Sequence, residues 1–295
     1  MTALVVGATG LLGSRVCKEL AAQGKPVAAM VRNAGDDAKV GALKAAGVEL
    51  IEGDLKDPTT LQRACAGRTA VLSTASASLS RQAGDSIQSV DLDGQKSLID
   101  AAKAAGVAKF IYISFSSNMT TEGPVTAAKR EVEQHLQASG LDYTILRCGF
   151  LLEVMVAPLV GFDYAGAKAV VYGSGENQLS LVSMDDVARM CALCLDHPQA
   201  SNAVIEFGGP SPVTLHEVVT AFEEVKGQPF EMQHVPEEAL VGAWEGADEP
   251  VSKSINAIMV DFARGDVIPM DDTLKTFPVE MTTVHQYATK VLANP

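Results

Sequence analysis

The stretch Ala3-Leu4-Val5-Val6-Gly7-Ala8-Thr9-Gly10-Leu11-Leu12-Gly13-Ser14-Arg15-Val16 decides the fold. A short apolar run meets glycines at every third position, and an amphipathic helical pattern follows to about Gln23. Strand, tight turn and helix in this order hold a dinucleotide pyrophosphate. Gly7 permits the turn out of the strand, Gly10 lets backbone approach the phosphates, and Gly13 lets the helix pack close on the sheet. The first helical N–H groups then face an anion with the helix dipole in their favour. A second apolar run arrives on time at Val27–Val31, which places the glycines in a βαβ context.

Working outward, strand signals read at Ala3–Val6, Val27–Val31, Val48–Glu52, Ala70–Ser73, Lys109–Ser114 and Tyr143–Arg147. Between them lie helical patterns at Leu11–Gln23, Asp36–Ala46, Pro58–Ala66, Ser86–Ala105 and Pro124–Ser139. Gly24, Gly47, Gly106 and Gly140 stand just past helix ends. Alternation of this kind predicts an α/β fold, a doubly wound parallel sheet of the Rossmann type. After Arg147 the rhythm loosens. Gly149–Val160 reads as apolar and helical, Ala169–Tyr172 and Leu179–Val182 as strands, and Met184–Asp196 as a helix. Ala203–Phe207 reads as a strand, Thr214 with Glu217 as a capping box, and Phe230–His234 as a short strand. The expected organisation is a nucleotide-binding domain over residues 1–150, with 179–207 returning to it. Residues 151–178 and 208–295 form a smaller C-terminal α+β lobe over the crevice, for substrate.

Composition narrows the partners. The 295 residues are 47% hydrophobic and 20% charged, as in a globular protein. A net charge of −13 argues against nucleic acid, whose phosphates need Lys and Arg. Met1-Thr2 runs straight into the first strand, so no secretory signal is expected. The apolar stretch Leu141–Val160 is broken by Asp142, Arg147 and Glu153 and does not read as a membrane span. Five scattered cysteines fit reduced thiols in a cytoplasmic protein. Cys191, Cys194 and His197 have ligand-like spacing, but they share one helix face with no second ligand pair, so a core role is expected and no metal. The partner expected is a small molecule, with neither nucleic acid nor membrane, and with monomer and homodimer both open.

Several side chains carry the chemistry. The second strand ends Met30-Val31-Arg32-Asn33, where an acid would bond the ribose 2′-hydroxyl of NAD. A guanidinium there suits a 2′-phosphate, which points to NADP(H); a plain surface arginine is the alternative. Asp36 and Asp37 come late and read as helix caps. Asp54, with the N–H of Leu55, stands where the adenine edge is expected, or is an ordinary turn residue. Ser73-Thr74-Ala75 closes the fourth strand with small residues, leaving room for a ribose or simply packing. Ser114 and Ser116 end the fifth strand near the expected nicotinamide. Lys129, one turn into the next helix, reads two ways: a crevice-facing ammonium that orients a ribose or moves a proton, or an exposed lysine paired with Glu133.

Taken with Gly53-Asp54-Leu55, the run Ala101–Val107, Lys129–Glu133, Ser139–Arg147, Ser183–Ala188 and the tail Leu274–Thr283, these motifs resemble the NmrA-like, atypical short-chain dehydrogenase/reductase family. Within it the resemblance is to the bacterial NADPH quinone oxidoreductase and triphenylmethane reductase type. It covers nearly the whole chain, most strongly the first 150 residues. The resemblance implies cofactor contacts from Gly7, Thr9, Gly10, Leu11, Leu12, Arg32, Asp54 and Lys129. Two positions depart from the pattern. Val125 stands where ordinary short-chain dehydrogenases have a proton-donating tyrosine, and Cys148 where a proline usually follows Arg147.

Without that tyrosine, alcohol–ketone chemistry is disfavoured, whereas an acceptor that delocalises the incoming electrons needs no phenol. The expectation is therefore an NADPH-dependent reductase of a quinone-like or other conjugated apolar compound. Lys129 with Ser114 or Ser116 would be its polar groups, and Phe150, Leu151 and Met155 part of an apolar substrate wall. The alternatives are a non-catalytic NAD(P)-binding redox sensor and a tailoring reductase of a biosynthetic pathway.

Overall fold

Apolar alternation and short turns build the first sheet. In the computed structural model, which describes residues 2–78 and 82–293, this sheet has seven strands. Its strands are β1 (Ala3–Val6), β2 (Val27–Val31), β3 (Glu49–Glu52), β4 (Ala70–Ser73), β5 (Lys109–Phe115), β6 (Asp142–Cys148) and, after two strands of a second sheet, β9 (Ala203–Phe207). Their order is β3-β2-β1-β4-β5-β6-β9, and the pairs β1–β2, β1–β4, β2–β3 and β4–β5 are parallel. From β1 the chain proceeds through β2 and β3 to one edge and from β4 through β5 and β6 towards the other, so the order switches between the neighbours β1 and β4, where a doubly wound sheet opens its ligand crevice. Strands β1, β2 and β4 are buried along their whole length, as a sheet covered on both faces requires.

The connecting helices are α1 (Leu11–Ala22), α2 (Asp37–Ala45), α3 (Pro58–Cys65), α4 (Asp93–Ala104) and α5 (Pro124–Ala138). The helix expected from Ser86 begins as a π-helical turn, Ile87–Leu92, capped reciprocally by Ser86 and Ser89. Asp36 takes the N-cap position of α2 without capping it: its carboxylate pairs with Lys39 at 3.2 Å, and that of Asp37 with Lys44 at 2.6 Å.

Two units divide the chain. The first comprises residues 1–114, 124–146 and 187–205. Its core joins Leu4, Val6, Leu61, Leu98, Phe110, Tyr112, Val132 and Ile145. Inside it, the buried Lys109 donates to Ala200 O at 2.7 Å, and Thr144 Oγ1 donates to the same carbonyl.

The second unit comprises residues 115–123, 147–186 and 206–295. It holds a mixed three-stranded sheet of β7 (Phe162–Asp163), β8 (Lys168–Tyr172) and β10 (Glu231–Val235), with β8 parallel to β10 and antiparallel to β7. Its helices include α8 (Leu215–Lys226), opened by the Thr214–Glu217 capping box, the pair α9 (Glu237–Glu245) and α10 (Pro250–Arg264), and two more, Asp271–Thr276 and Val284–Ala293. The core is aromatic: Phe222 meets Phe162 edge-on at 4.9 Å, with Phe230 and Tyr287 beside it. The long helix expected over Gly149–Val160 does not form. A single turn, α6 (Leu152–Met155), stops where Pro158 holds Ala157 extended, and a 3₁₀ turn, Pro158–Val160, follows. Leu179–Val182 forms only isolated bridges, Leu179 with Val213 and Asp266 and Val182 with Leu151, because its backbone groups are shared among three partners. A further helix, α7 (Met184–Cys194), has its first three residues assigned to the second unit and the rest to the first.

Candidate functional site

The turn after β1 is built to a tolerance that only glycine meets. Gly7 has φ +82°, and Gly10 N donates back to Gly7 O at 2.9 Å. A β-carbon on Gly13 would lie 2.2 Å from Gly7 O and 2.8 Å from Thr74 Oγ1. Thr74 closes the other side, its N–H on Val6 O at 3.0 Å. At the N-terminus of α1, Gly10 supplies no side-chain cap and the first turn holds no acidic residue. The leading N–H groups are thus left to an incoming anion.

Around this turn opens one cleft of the first unit. It gathers Gly7, Thr9, Gly10, Arg32, Asp54, Leu55, Thr74 and Ala75, all singled out in the sequence, together with Ser76 and Asp85. Leu11 stands exposed beside it, while Leu12 and Gly13 are buried at the start of α1. The strip Ser73–Ala77 is held from beneath. Ser73 Oγ donates to Gln95 Oε1 at 2.8 Å, Gln95 Nε2 to Ala75 O at 3.0 Å, and Ala77 N to the buried Asp91 at 2.9 Å. Asp54 makes an Asx turn, accepting from Lys56 N at 2.9 Å.

Sequence reasoning missed Asp85 and Lys56. Asp85 bridges two cations, Arg32 in the cleft and Lys56 beside it: Arg32 Nη1 lies 2.7 Å from its Oδ2 and Lys56 Nζ 2.7 Å from its Oδ1. Burial works to raise the Asp85 carboxyl, but the bonds from Lys56, Arg32 and Gln82 N–H outweigh it and hold it at about 2. No local motif marks a partner of Arg32 that is 53 residues away.

The other polar candidates are deeply placed. Lys129 is 6% exposed; its Nζ donates to Ile113 O at 3.0 Å and stands 5.2 Å from the centre of the Tyr112 ring. Burial, with the charges of Asp91 and Glu133, pushes the Tyr112 phenol well above its ordinary value, so it is a neutral packing group. Ser114 donates to Glu133 Oε1 at 2.5 Å, and Arg130 meets the same oxygen at 2.8 Å. Within the second unit, Ser116 donates to Asp266 Oδ1 at 2.9 Å, and Asn118 Nδ2 joins that oxygen at 2.7 Å. Both serine hydroxyls, expected to bond the substrate oxygen, face buried carboxylates here, Ser114 that of Glu133 and Ser116 that of Asp266. Of the apolar wall, Phe150 and Met155 are core residues, Phe150 against Phe262 at 5.0 Å, whereas Leu151 is half-buried. Cys194 is a core thiol that burial pushes up to about 12.

At the shifted buried carboxyls of the two units acid acts with opposite sign. Asp85 has a lowered pKa, so its contribution to the first unit is present above the ordinary value of 3.8 and is lost as pH falls through about 2. In the second unit Asp261 and Asp266 are raised, in both cases first by burial, against hydrogen bonds from Thr121 and from Asn118 and Ser116. For such groups the folded state binds more protons, so stability is full below 3.8 and declines as pH rises through the folded pKa. Trp244 is the single tryptophan and lies in the second unit. On acidification between about pH 4 and 2, far-UV circular dichroism is expected to change before Trp244 fluorescence does. Coincident transitions would contradict this assignment.

The NmrA-like family model matches residues 1–288. An isoflavone reductase homolog from Zea mays is 31% identical over 98% of this chain and 97% of its own. A photosystem II assembly factor from Trieres chinensis is 32% identical over 80% of this chain and 72% of its own. Among solved structures, an NADPH-dependent quinone oxidoreductase from Escherichia coli, complexed with NADPH, shares the fold with a TM-score of 0.75. That match is 24% identical and covers 99% of this chain and all of the other.

Proposed function

The chain belongs to the NmrA-like family, and from that premise we propose that it is an NADPH-dependent reductase of a quinone-like or other conjugated apolar small molecule. The observation that carries this reading is Arg32 at the end of β2, lining one cleft with the glycine turn where an NAD site would place an acid. The turn from Gly7 to Leu12 would hold the pyrophosphate on its N–H groups, and Arg32 the 2′-phosphate. Asp54 and Leu55 would meet the adenine edge, Thr74 and Ala75 a ribose. When bound, the nicotinamide supplies a hydride. Lys129 is proposed to orient the nicotinamide ribose and to hold positive charge near the reduced acceptor. Val125, fully buried in α5, provides no proton in place of the usual tyrosine. A conjugated acceptor tolerates this, because delocalisation stabilises the developing anion until water protonates it. Leu151 is the wall residue we assign to substrate contact, backed by Phe150 and Met155 in the core. The five free, buried cysteines support a reducing, cytosolic compartment.

The test is to follow NADPH and NADH absorbance while a panel of quinones is added. Rapid NADPH loss that depends on the quinone supports the reductase. Arg32→Ala is expected to weaken NADPH about 10- to 100-fold, the scale of a lost charge-assisted hydrogen bond, and NADH by no more than about twofold. An equal loss for both cofactors would remove Arg32 from the 2′-phosphate. A second reading, a cofactor-binding regulator, is favoured by Val125. Equal, tight binding of oxidised and reduced cofactor without turnover on any quinone would establish it.

A further inference from the structure

The carboxylate of Asp85 presents two oxygens to three donors: Arg32 Nη1, Lys56 Nζ and, at 2.9 Å, Gln82 N. This is the donor set an incoming phosphate would need. The Arg32 and Lys56 side chains keep 35% and 27% exposure, Arg32 on the wall of the cleft and Lys56 joined to it through Asp85, which is largely covered. Lys56 has further oxygens nearby, Ala83 O at 3.4 Å and Asp54 Oδ2 at 3.9 Å. We propose that Asp85 is a resident anion that competes with the cofactor's 2′-phosphate for Arg32 and Lys56 and thereby limits the preference for NADPH over NADH. The inference rests on the nucleotide-binding reading above and deepens it by naming a residue that sets specificity.

The physical argument is charge accounting at one point. A 2′-phosphate arriving at Arg32 either displaces the carboxylate or lies beside it. Displacement costs two short ion pairs, and coexistence places like charges within a few ångströms, so both routes lower its affinity. A ribose 2′-hydroxyl carries no charge and meets neither cost. The carboxyl, held at about 2, stays ionised across the working pH range, so the competition does not switch off near neutrality.

The experiment compares 2′,5′-ADP with 5′-AMP, which differ by the 2′-phosphate alone, by calorimetry at fixed ionic strength on the full chain. Asp85→Asn and Asp85→Ser are both measured, with thermal melts to verify folding. Competition predicts that both variants bind 2′,5′-ADP about tenfold tighter or more, with 5′-AMP unchanged within about twofold. Unchanged or weaker 2′,5′-ADP binding in folded variants would overturn the proposal and make Asp85 a brace for Arg32. Equal changes for both nucleotides would overturn it as a specificity residue. If the folded wild type binds neither nucleotide nor NADPH, the nucleotide-binding reading fails first and takes this inference with it.

Discussion

Gly13→Val is expected to abolish nucleotide binding, and Gly13→Ala to weaken it at least about 100-fold. The added β-carbon would sit 2.2 Å from Gly7 O and 2.7 Å from Gly7 C, both backbone atoms that cannot swing aside. The start of α1 would have to move away from the turn, and the N–H groups proposed to receive the pyrophosphate would move with it. Calorimetry with NADPH measures the loss, and a thermal melt shows how much fold is lost with it. Gly41, half-buried in the middle of α2 with open space where its β-carbon would lie, is the control. Gly41→Ala is expected to be neutral or stabilising by about 0.5–1 kcal/mol. If Gly13→Ala keeps NADPH affinity within about threefold, the tight-turn account of the site is wrong.

Phe222→Ala is expected to cost the second unit about 3–5 kcal/mol. Phe222 is fully buried on α8, edge-on to Phe162 at 4.9 Å, and it touches Phe230, Tyr164 and Tyr287. Removing the ring leaves a cavity walled by other rings, which are too rigid to collapse into it. Urea unfolding followed by Trp244 fluorescence reads the change, with Met232→Ala as comparison because Met232 is 45% exposed on β10. A shift for Phe222→Ala no larger than that for Met232→Ala would show that this cluster does not hold the unit together.

The parts legible in the sequence are those written locally. The apolar runs of β1, β2 and β4 are short, continuous and followed by turn residues, so period and punctuation agree. The glycine turn, Arg32, Asp54 and Thr74 sit at fixed offsets from strand ends, and the fold brings them to one cleft. What could not be read depends on distant pairing. Ser116 and Asp266 are 150 residues apart, and no periodicity announces a buried carboxylate that accepts the serine's hydrogen bond. Asp85 was silent for the same reason. Over Gly149–Val160 the apolar content is legible, but Pro158 holds Ala157 extended and the helical pattern before it yields only the turn Leu152–Met155.

The first unit is assembled from three separated stretches of chain, the last of them residues 187–205. That stretch carries Ala200, whose carbonyl satisfies the buried ammonium of Lys109 and the hydroxyl of Thr144, and Ala192, whose carbonyl takes Lys25 Nζ at 2.7 Å. During synthesis, Lys109 and Thr144 leave the ribosome long before their acceptor does. Until residue 200 has been added, Lys109 has only the Asp142 carboxylate, at 3.3 Å, and Thr144 lacks the Ala200 carbonyl. A fragment ending near residue 150 therefore lacks a stretch that the first unit is built from, and folding of that unit has to wait for the second half of the chain.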